Sequence, residues 1–113
     1  MESKAILRFA RITPRKARRV VDLIRGKKAS DALISLRFMP YRAAQSVEKL
    51  LKSAMANAEQ KSRHVDIDRL KVKTAFVDNG PVMKRMEPRA MGRANVIKKR
   101  SCHITIILAE EEK

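Results

Sequence analysis

The sequence predicts a single α+β domain, and three observations support this. Apolar and polar side chains alternate with a period of two near both ends of the chain and once between them, as in strands. Between the first two such segments, apolar residues recur at spacings of three and four, as in amphipathic helices. A chain of 113 residues can bury about two-thirds of its surface around one core. We therefore expect one compact body over residues 1–113, without internal repeats.

The first predicted strand covers residues 4–12, with Ala5, Leu7 and Phe9 on one face and Arg8 on the other. Thr13 and Pro14 follow as a helix start, a hydroxyl N-cap before proline at the first helical position. Gly26 is expected to end this helix. Its apolar stripe is Ala17, Val20, Val21 and Ile24, and its basic faces carry Arg15, Lys16, Arg18, Arg19 and Arg25.

Two further helices are predicted before the second strand. The first covers residues 29–38, with Ser30 as its cap and Pro40 as its stop. Its buried stripe is Ala29, Ala32, Leu33 and Leu36. The next runs from about residue 41 to residue 60, and its alanines should let another element approach closely. Its buried face is Val47, Leu50, Leu51, Ala54 and Ala58.

The two remaining strands of the body are predicted over residues 67–77 and 102–108. In the former, Leu70, Val72, Thr74 and Phe76 alternate with Lys71, Lys73 and Ala75. In the latter, Cys102, Ile104, Ile106 and Leu108 alternate with His103, Thr105 and Ile107. Each strand therefore has one face suited to a core.

The segment from Asp78 to Arg100 does not fit a compact domain. It contains seven Lys and Arg residues and no sustained apolar periodicity. A loop of this length needs an explanation. It is either a disordered surface loop or an extended basic arm or long hairpin that becomes ordered on nucleic acid. We place this arm at about residues 79–100, and the globular body at about 1–78 and 101–113.

The charge of the chain indicates a polyanionic partner. Lys and Arg number 27 against 12 Asp and Glu, for a formal charge of +15. The excess concentrates in residues 1–28, with ten basic and two acidic side chains, and in residues 71–113, with ten and five. Aromatic residues are scarce and Trp is absent, so contacts to nucleic-acid phosphates are expected rather than base stacking. The alternatives are a solvated basic surface and an acidic protein partner.

No enzymatic activity is expected from this sequence. Cys102 and His103 are neighbours on a predicted strand, so their side chains point to opposite faces. Asp66 and Asp68 could share a metal, but they suit turn and strand-entry roles better. We expect no metal and no other cofactor. No membrane association is expected, and one cysteine without a secretory signal fits a cytoplasmic protein.

Three stretches resemble the bacterial large-subunit ribosomal protein twenty-two family. They are ITPRKARRVVDLIRGK (residues 12–27), LLKSAMANAE (residues 50–59) and GPVMKRMEPRAMGRANVIKKRSCHITIIL (residues 80–108). The resemblance runs through the whole chain in order. It implies three helices packed on a small three-stranded antiparallel sheet, with a long protruding basic β-hairpin.

The resemblance also implies a function. Such a protein would be a structural constituent of the large ribosomal subunit, located with the ribosome in the cytoplasm and involved in early subunit assembly. Its partners would be 23S rRNA, neighbouring large-subunit proteins and, at the exit tunnel, the nascent peptide. No homo-oligomer is expected. A DNA-binding nucleoid or architectural protein is the alternative.

The family's functional positions map onto this sequence residue by residue. Changes that alter the response to macrolide antibiotics would fall at Met83, Lys84 and Arg85. The tip of the hairpin beside the tunnel would be Arg89, Ala90, Met91, Gly92, Arg93 and Ala94. RNA would be bound along the shaft by Lys84, Arg85, Lys98, Lys99 and Arg100, and on the body by Arg11, Arg15, Lys16, Arg18, Arg19, Arg25, Lys27 and Lys28.

Overall fold

The computed structural model describes residues 2–61, 64, 66–88 and 94–110. Within them, three α-helices and five strands follow one another, with a 3₁₀ turn at Ile67–Arg69 before the second strand. The helices are α1 (Pro14–Ile24), α2 (Ala29–Arg37) and α3 (Ala43–Lys61). The strands are β1 (Glu2–Ala10), β2 (Leu70–Asn79), β3 (Met83–Pro88), β4 (Ala94–Lys99) and β5 (Cys102–Glu110).

The strands form two separate antiparallel sheets. Three of them pair in the order β1-β5-β2, so the last strand of the chain is the central one. This confirms the predicted α+β class, with three helices and a three-stranded antiparallel sheet. The other sheet contains only β3 and β4, paired from Met83 opposite Lys99 to Pro88 opposite Ala94. We call it the β3–β4 ribbon, and its pairing is consistent with the predicted basic hairpin.

The core lies between the helices and one face of the three-stranded sheet. Ile104, Ile106 and Leu108 of the central strand are fully buried. Every residue of the stripes predicted for α1 and α3 is also buried. Small side chains let α3 lie close to β1, since the buried Ser3 hydroxyl donates a 3.0 Å hydrogen bond to the carbonyl of Ala54. This confirms the expected role of the alanines in α3.

The molecule is elongated rather than spherical. Its radius of gyration is 17.3 Å and its extents are 66 × 25 × 16 Å. A compact domain of this length would have a radius of gyration of about 13 Å. A large share of the surface is therefore available to a partner that surrounds the molecule.

The prediction that Phe9 faces the core is wrong. The pairing of β1 with β5 shifts between Leu7 and Ala10, and Phe9 sits there with a φ of 57°, in the left-handed region. Such a bulge inserts one unpaired residue and resets the alternation. As a result Ala10 is buried and the Phe9 side chain is 63% exposed. The strand also lies two residues earlier than the predicted range 4–12.

The alternation predicted for the second body strand is wrong beyond Val72 for the same reason. The pairing of β2 with β5 shifts between Val72 and Thr74. Ala75 and Val77 are therefore buried, whereas Phe76 is exposed. The strand begins at Leu70 rather than at residue 67, because the preceding residues form the 3₁₀ turn.

One predicted helix cap is wrong, and another is at the predicted position but lacks a side-chain hydrogen bond. Ser30 lies inside α2, whose N-cap is Lys28, and no side chain caps that end. The chain enters α2 in this way because Gly26 and Lys27 bond through their backbones to Val72 of β2, at 3.1 and 2.9 Å. Thr13 is the N-cap of α1, but its side chain makes no capping hydrogen bond. Gly26 does end the first helix, with a φ of 82°.

Candidate nucleic-acid interface

The exposed side of α1 is basic over the first half of the helix, whereas Asp22 and Leu23 are exposed near its end. Arg15, Lys16 and Arg19 are exposed, while Ala17, Val20 and Val21 on the other side of the helix are buried. The first turn of this helix contains no acidic residue. Cations there are unfavourable beside the positive end of the helix dipole. A bound anion would relieve that repulsion.

Two other arginines of this helix region hold the body together. Arg18 donates from Nη2 to the carbonyl of Val77 and to Oδ1 of Asn79, both at 3.2 Å. Arg25 donates from Nε and Nη2 to the carbonyl of Ala75, at 3.1 and 2.7 Å. These bonds attach the middle and the C-terminal end of α1 to β2. Within the described residues, Nε and Nη1 of Arg18 donate to no protein group, whereas Nη1 of Arg25 contacts Asp22 at 2.8 Å.

A cavity of about 410 Å³ lies between the start of α1 and the base of the β3–β4 ribbon. We call it the β2 groove. Its cations are Arg15, Arg18 and Arg100, and Asn79 and Thr13 also line it. It brings together three predicted RNA-binding residues from both ends of the sequence.

The base of the ribbon beside this groove is closely packed. The backbone N–H of Gly80 donates to the carbonyl of Ser101 at 3.0 Å. The Ser101 hydroxyl donates to the carbonyl of Pro81 at 2.7 Å. A Cβ on Gly80 would lie 2.5 Å from that hydroxyl oxygen, so glycine is required here by the close approach of two chain segments. These contacts set where the ribbon leaves the body.

A second cavity, of about 810 Å³, lies between the end of β1, α1 and the start of α3. We call it the α3 groove. Arg11, Lys16, Arg19 and Arg42 line it, together with Tyr41. The guanidinium Cζ of Arg19 lies 5.2 Å from the centre of the Tyr41 ring. Thr13 lines both grooves, so the two adjoin at the start of α1.

Sequence reasoning missed Tyr41 and Arg42 as members of this surface. Both residues follow Pro40 in the connection to α3, and they lie about thirty positions from Arg11 in the sequence. The only available signal was that this connection carries an aromatic and a basic residue together. Their position next to α1 depends on how the helices pack.

Four carboxylates of the described residues form salt bridges, and their basic partners do not line the grooves. Asp22 contacts Arg25, Glu48 contacts Lys52 at 3.5 Å, and Asp66 contacts Arg69 at 3.7 Å. Glu2 pairs with Lys73, whose hydrogen bond and positive charge hold the pKa of that carboxyl below its ordinary value. Five basic residues that line the grooves make no salt bridge with any described residue: Arg11, Arg15, Lys16, Arg19 and Arg42. The positive potential of the two grooves is therefore not neutralised by these carboxylates.

Lys27 and Lys28 lie beyond the other end of α1 from the grooves. Lys27 donates from Nζ to the Ser35 hydroxyl at 3.3 Å. Lys28 forms an isolated antiparallel bridge with Lys71 of β2. The structure thus places these two predicted RNA-binding residues on a separate basic patch.

The β3–β4 ribbon carries the remaining predicted residues. Lys84, Lys99 and Arg100 are exposed, and the register places Lys84 opposite Lys98 and Arg85 opposite Ile97. Met83 begins β3, and Ala94 begins β4. The other predicted tip residues lie outside the described residues: Arg89, Ala90, Met91, Gly92 and Arg93.

The residues weighed as catalytic candidates have structural roles. Cys102 is fully buried, and burial raises the pKa of its thiol. Nδ1 of His103 accepts a hydrogen bond from the backbone N–H of Phe9. Oδ1 of Asp66 accepts from the backbone N–H of Asp68 and caps the 3₁₀ turn, as turn chemistry predicts. Among the described residues there is no group of three or more His, Cys, Asp or Glu that could hold a metal ion.

Among the helices that the structure describes, none is sufficiently long and apolar to cross a membrane.

Comparison with known proteins identifies the family. The model of the family described as ribosomal protein L22p/L17e matches residues 5–109. The chain is 58% identical over 111 residues to the large ribosomal subunit protein uL22 of Geobacter metallireducens, covering 98% of this chain and 100% of that protein. It is 57% identical to uL22 of Geobacter sulfurreducens, covering 99% and 100%. For uL22 of Desulforamulus reducens the identity is 54%, covering 99% and 98%. These matches confirm the resemblance seen in the sequence and agree with the expectation that the chain is not an enzyme. The chain belongs to the ribosomal protein L22p/L17e family.

Proposed function

We propose that this chain is a structural constituent of the bacterial large ribosomal subunit and binds 23S rRNA through the basic surface around α1. The family and the names of the relatives support the ribosomal assignment. On this assignment the chain works in the ribosome, in the cytoplasm. The observation that carries the RNA assignment is that two cation-lined grooves adjoin at Thr13. The paired carboxylates do not line either groove.

The basic residues of the body divide into two roles. Arg11, Arg15, Lys16 and Arg19 contact RNA phosphates, because they are exposed and make no salt bridge within the described residues. Arg25 mainly braces α1 against β2 through its bonds to Ala75. Arg18 does both, since part of its guanidinium is bonded to β2 while it also lines the β2 groove. Lys27 and Lys28 provide a second, smaller contact with RNA.

We assign the arm a different task from the body. The segment 79–100 extends from the body formed by residues 1–78 and 101–113 and lines the nascent-peptide exit tunnel near the macrolide site. Lys84, Arg85, Lys98, Lys99 and Arg100 contact rRNA along the shaft, and residues 89–94 form the tip facing the nascent peptide. Met83, Lys84 and Arg85 set the position of the tip and hence the response to macrolides. The separate pairing of β3 with β4 and the elongated shape support this assignment.

The same contacts with rRNA phosphates explain a role in assembly of the large subunit. A chain with a formal charge of +15 neutralises phosphates that would otherwise repel each other as rRNA folds. The protein is therefore expected to join the subunit early, as a single copy, with neighbouring large-subunit proteins around it.

The proposal is tested by binding to deproteinised large-subunit rRNA at several salt concentrations. We compare the wild type with a triple variant, Arg11→Ala, Arg15→Ala and Arg19→Ala. The slope of log affinity against log salt should become shallower by about 0.7–0.9 for each lost phosphate contact. The matched control is Lys4→Ala, Arg8→Ala and Lys49→Ala, which removes equal charge from exposed residues that do not line the grooves and make no salt bridge within the described residues.

An equal change of slope in both triple variants would show that net charge, and not the grooves, determines binding. Sedimentation of a cell lysate tests the ribosomal assignment directly, because an embedded constituent stays with the large subunit at high salt. Migration with the nucleoid, together with equally tight binding to duplex DNA, would instead favour an architectural DNA-binding protein.

A further inference from the structure

The α3 groove differs from a plain phosphate-binding surface because part of its lining is apolar. Leu7 and Ile12 contribute half-buried side chains, and Ala43 is buried. Phosphate contacts need only cations and polar hydrogens at a surface. An apolar lining in a concave basic site instead suits a ligand with a flat, poorly hydrated part.

The groove also presents a stacking element. The guanidinium of Arg19 lies over the ring of Tyr41, with 5.2 Å between Cζ and the ring centre. Tyr41 remains 36% exposed. Arginine planes and tyrosine rings are the surfaces on which proteins stack unpaired RNA bases. The pair is therefore a preassembled platform for one base.

The charge and the volume of the α3 groove also suit an unpaired RNA base with its phosphates. Arg11, Lys16 and Arg42 line the groove as well, and no carboxylate among the described residues does. A volume of about 810 Å³ falls in the range typical of small-molecule sites. A paired base inside a helix cannot enter such a groove, because its faces are already stacked.

We propose that the α3 groove holds a single unstacked RNA nucleotide, whose base stacks against the Arg19–Tyr41 pair. Its phosphates are neutralised by Arg11, Lys16 and Arg42. This inference rests on the proposed rRNA binding and deepens it: the body reads an extruded base as well as the RNA backbone.

Tyr41 provides a direct optical test, since it is the only tyrosine of the chain and there is no tryptophan. Its fluorescence is measured while the wild-type protein is titrated with three probes. These are a short single-stranded oligoadenylate, a blunt RNA duplex of the same strand length, and inorganic polyphosphate. Stacking quenches tyrosine emission, so only the single-stranded RNA should quench it at saturation. The other two polyanions should bind without that effect.

Variants separate stacking from charge. Tyr41→Leu should weaken binding of the oligoadenylate by about tenfold, the loss typical of one stacked base, and leave the affinity for polyphosphate unchanged. Tyr41→Phe keeps the ring and should retain most of the affinity. Phe38→Leu is the matched control, because Phe38 is a neighbouring exposed aromatic that does not line the groove.

Each outcome supports or overturns the inference. Equal quenching by polyphosphate or by the duplex would show that the groove binds phosphates without a base. Unchanged oligoadenylate affinity in Tyr41→Leu would overturn base stacking while leaving rRNA binding by the body intact. Failure of the wild type to bind any RNA would overturn both proposals.

Discussion

The backbone N–H of Phe9 donates a 3.0 Å hydrogen bond to Nδ1 of His103, and the two rings meet edge to face with 4.9 Å between their centres. This contact joins β1 to the central strand at the position where the register of their pairing shifts. It holds Phe9 at a φ of 57°, in a region that costs a non-glycine residue about 1–2 kcal/mol. The contact with His103 therefore stabilises the bulge in β1.

We expect Phe9→Val to lower the free energy of unfolding by about 2 kcal/mol, because a β-branched residue tolerates the left-handed region poorly and the ring contact is lost. Phe9→Gly should cost less, since glycine adopts this conformation without strain. Urea unfolding measures both. Phe76→Val is the control, an exposed phenylalanine on the same sheet with a negative φ. Equal losses for Phe9→Val and Phe9→Gly would contradict the strain at this position.

The packing at the base of the ribbon predicts coupling between Gly80 and Ser101. Gly80→Ala should destabilise the fold by about 1 kcal/mol, because the new Cβ would lie 2.5 Å from the Ser101 hydroxyl oxygen. Ser101→Ala removes that oxygen and its bond to Pro81. In the double variant, part of the loss caused by Gly80→Ala should therefore disappear. Thermal unfolding of the four proteins checks this, and strictly additive losses would argue against a direct clash.

Arg15 and Arg25 should respond to substitution in opposite ways. Arg25→Ala breaks the hydrogen bonds to the Ala75 carbonyl and should lower the free energy of unfolding by about 1 kcal/mol, the scale for a partly exposed charged bond. Arg15→Ala should leave stability unchanged and weaken rRNA binding. Urea unfolding and filter binding on the same two variants separate the roles. A larger loss of affinity in Arg25→Ala than in Arg15→Ala would reverse the assignment.

The buried thiol of Cys102 predicts a pH effect. Burial raises the pKa of Cys102 in the native state, whereas in the unfolded chain it ionises near its ordinary value, about 8.5. Above that pH the unfolded state has lost a proton that the native state retains, so stability falls as pH rises. The stability difference between the wild type and Cys102→Ala should therefore shrink above about pH 8.5. A difference that stays constant from neutral to alkaline pH would mean that the thiol ionises equally in both states.

The ribbon should be separable from the body. Deleting Met83–Arg85 removes three paired positions of β3 and should leave the melting temperature within about 2 °C of the wild type. We expect large subunits to assemble in cells that carry the deletion, with an altered growth response to a macrolide. Replacing the same three residues by alanine keeps the strand length and serves as the control. Loss of the soluble fold in the deletion variant would show that ribbon and body are not independent.

Local patterns in the sequence predict the elements well but not their irregularities. The Thr13-Pro14 start and the spacing of Ala17, Val20 and Ile24 are sufficient for α1, since helix periodicity is a local property. The alternating pattern puts Phe9 and Phe76 on the wrong face because Phe9 lies within a shift in strand register and Phe76 follows one, and no glycine or proline marks either shift. A bulge of this kind is stabilised by the neighbouring strand, as the contact of Phe9 with His103 shows.

For the basic surface too, the sequence predicts some features and not others. Charge density alone indicated the residues around α1, but it could not separate Arg25, which bonds to β2, from Arg15, which faces solvent. The α3 groove depends on Tyr41 and Arg42 lying beside Arg19 and Arg11. These residues become neighbours only when α3 packs against β1 and α1. The periodicity of the sequence does not predict that packing.

The central position of β5 governs how the protein is made. Because β1 and β2 each pair with β5 and not with one another, neither edge strand has its partner in the three-stranded sheet until β5 has been synthesised. During translation the N-terminal segment therefore remains an incomplete, strongly cationic chain with its apolar strand faces uncovered. The three-stranded sheet can form only once β5 is available, and until then the unfinished protein is exposed to aggregation and to indiscriminate capture by cellular polyanions.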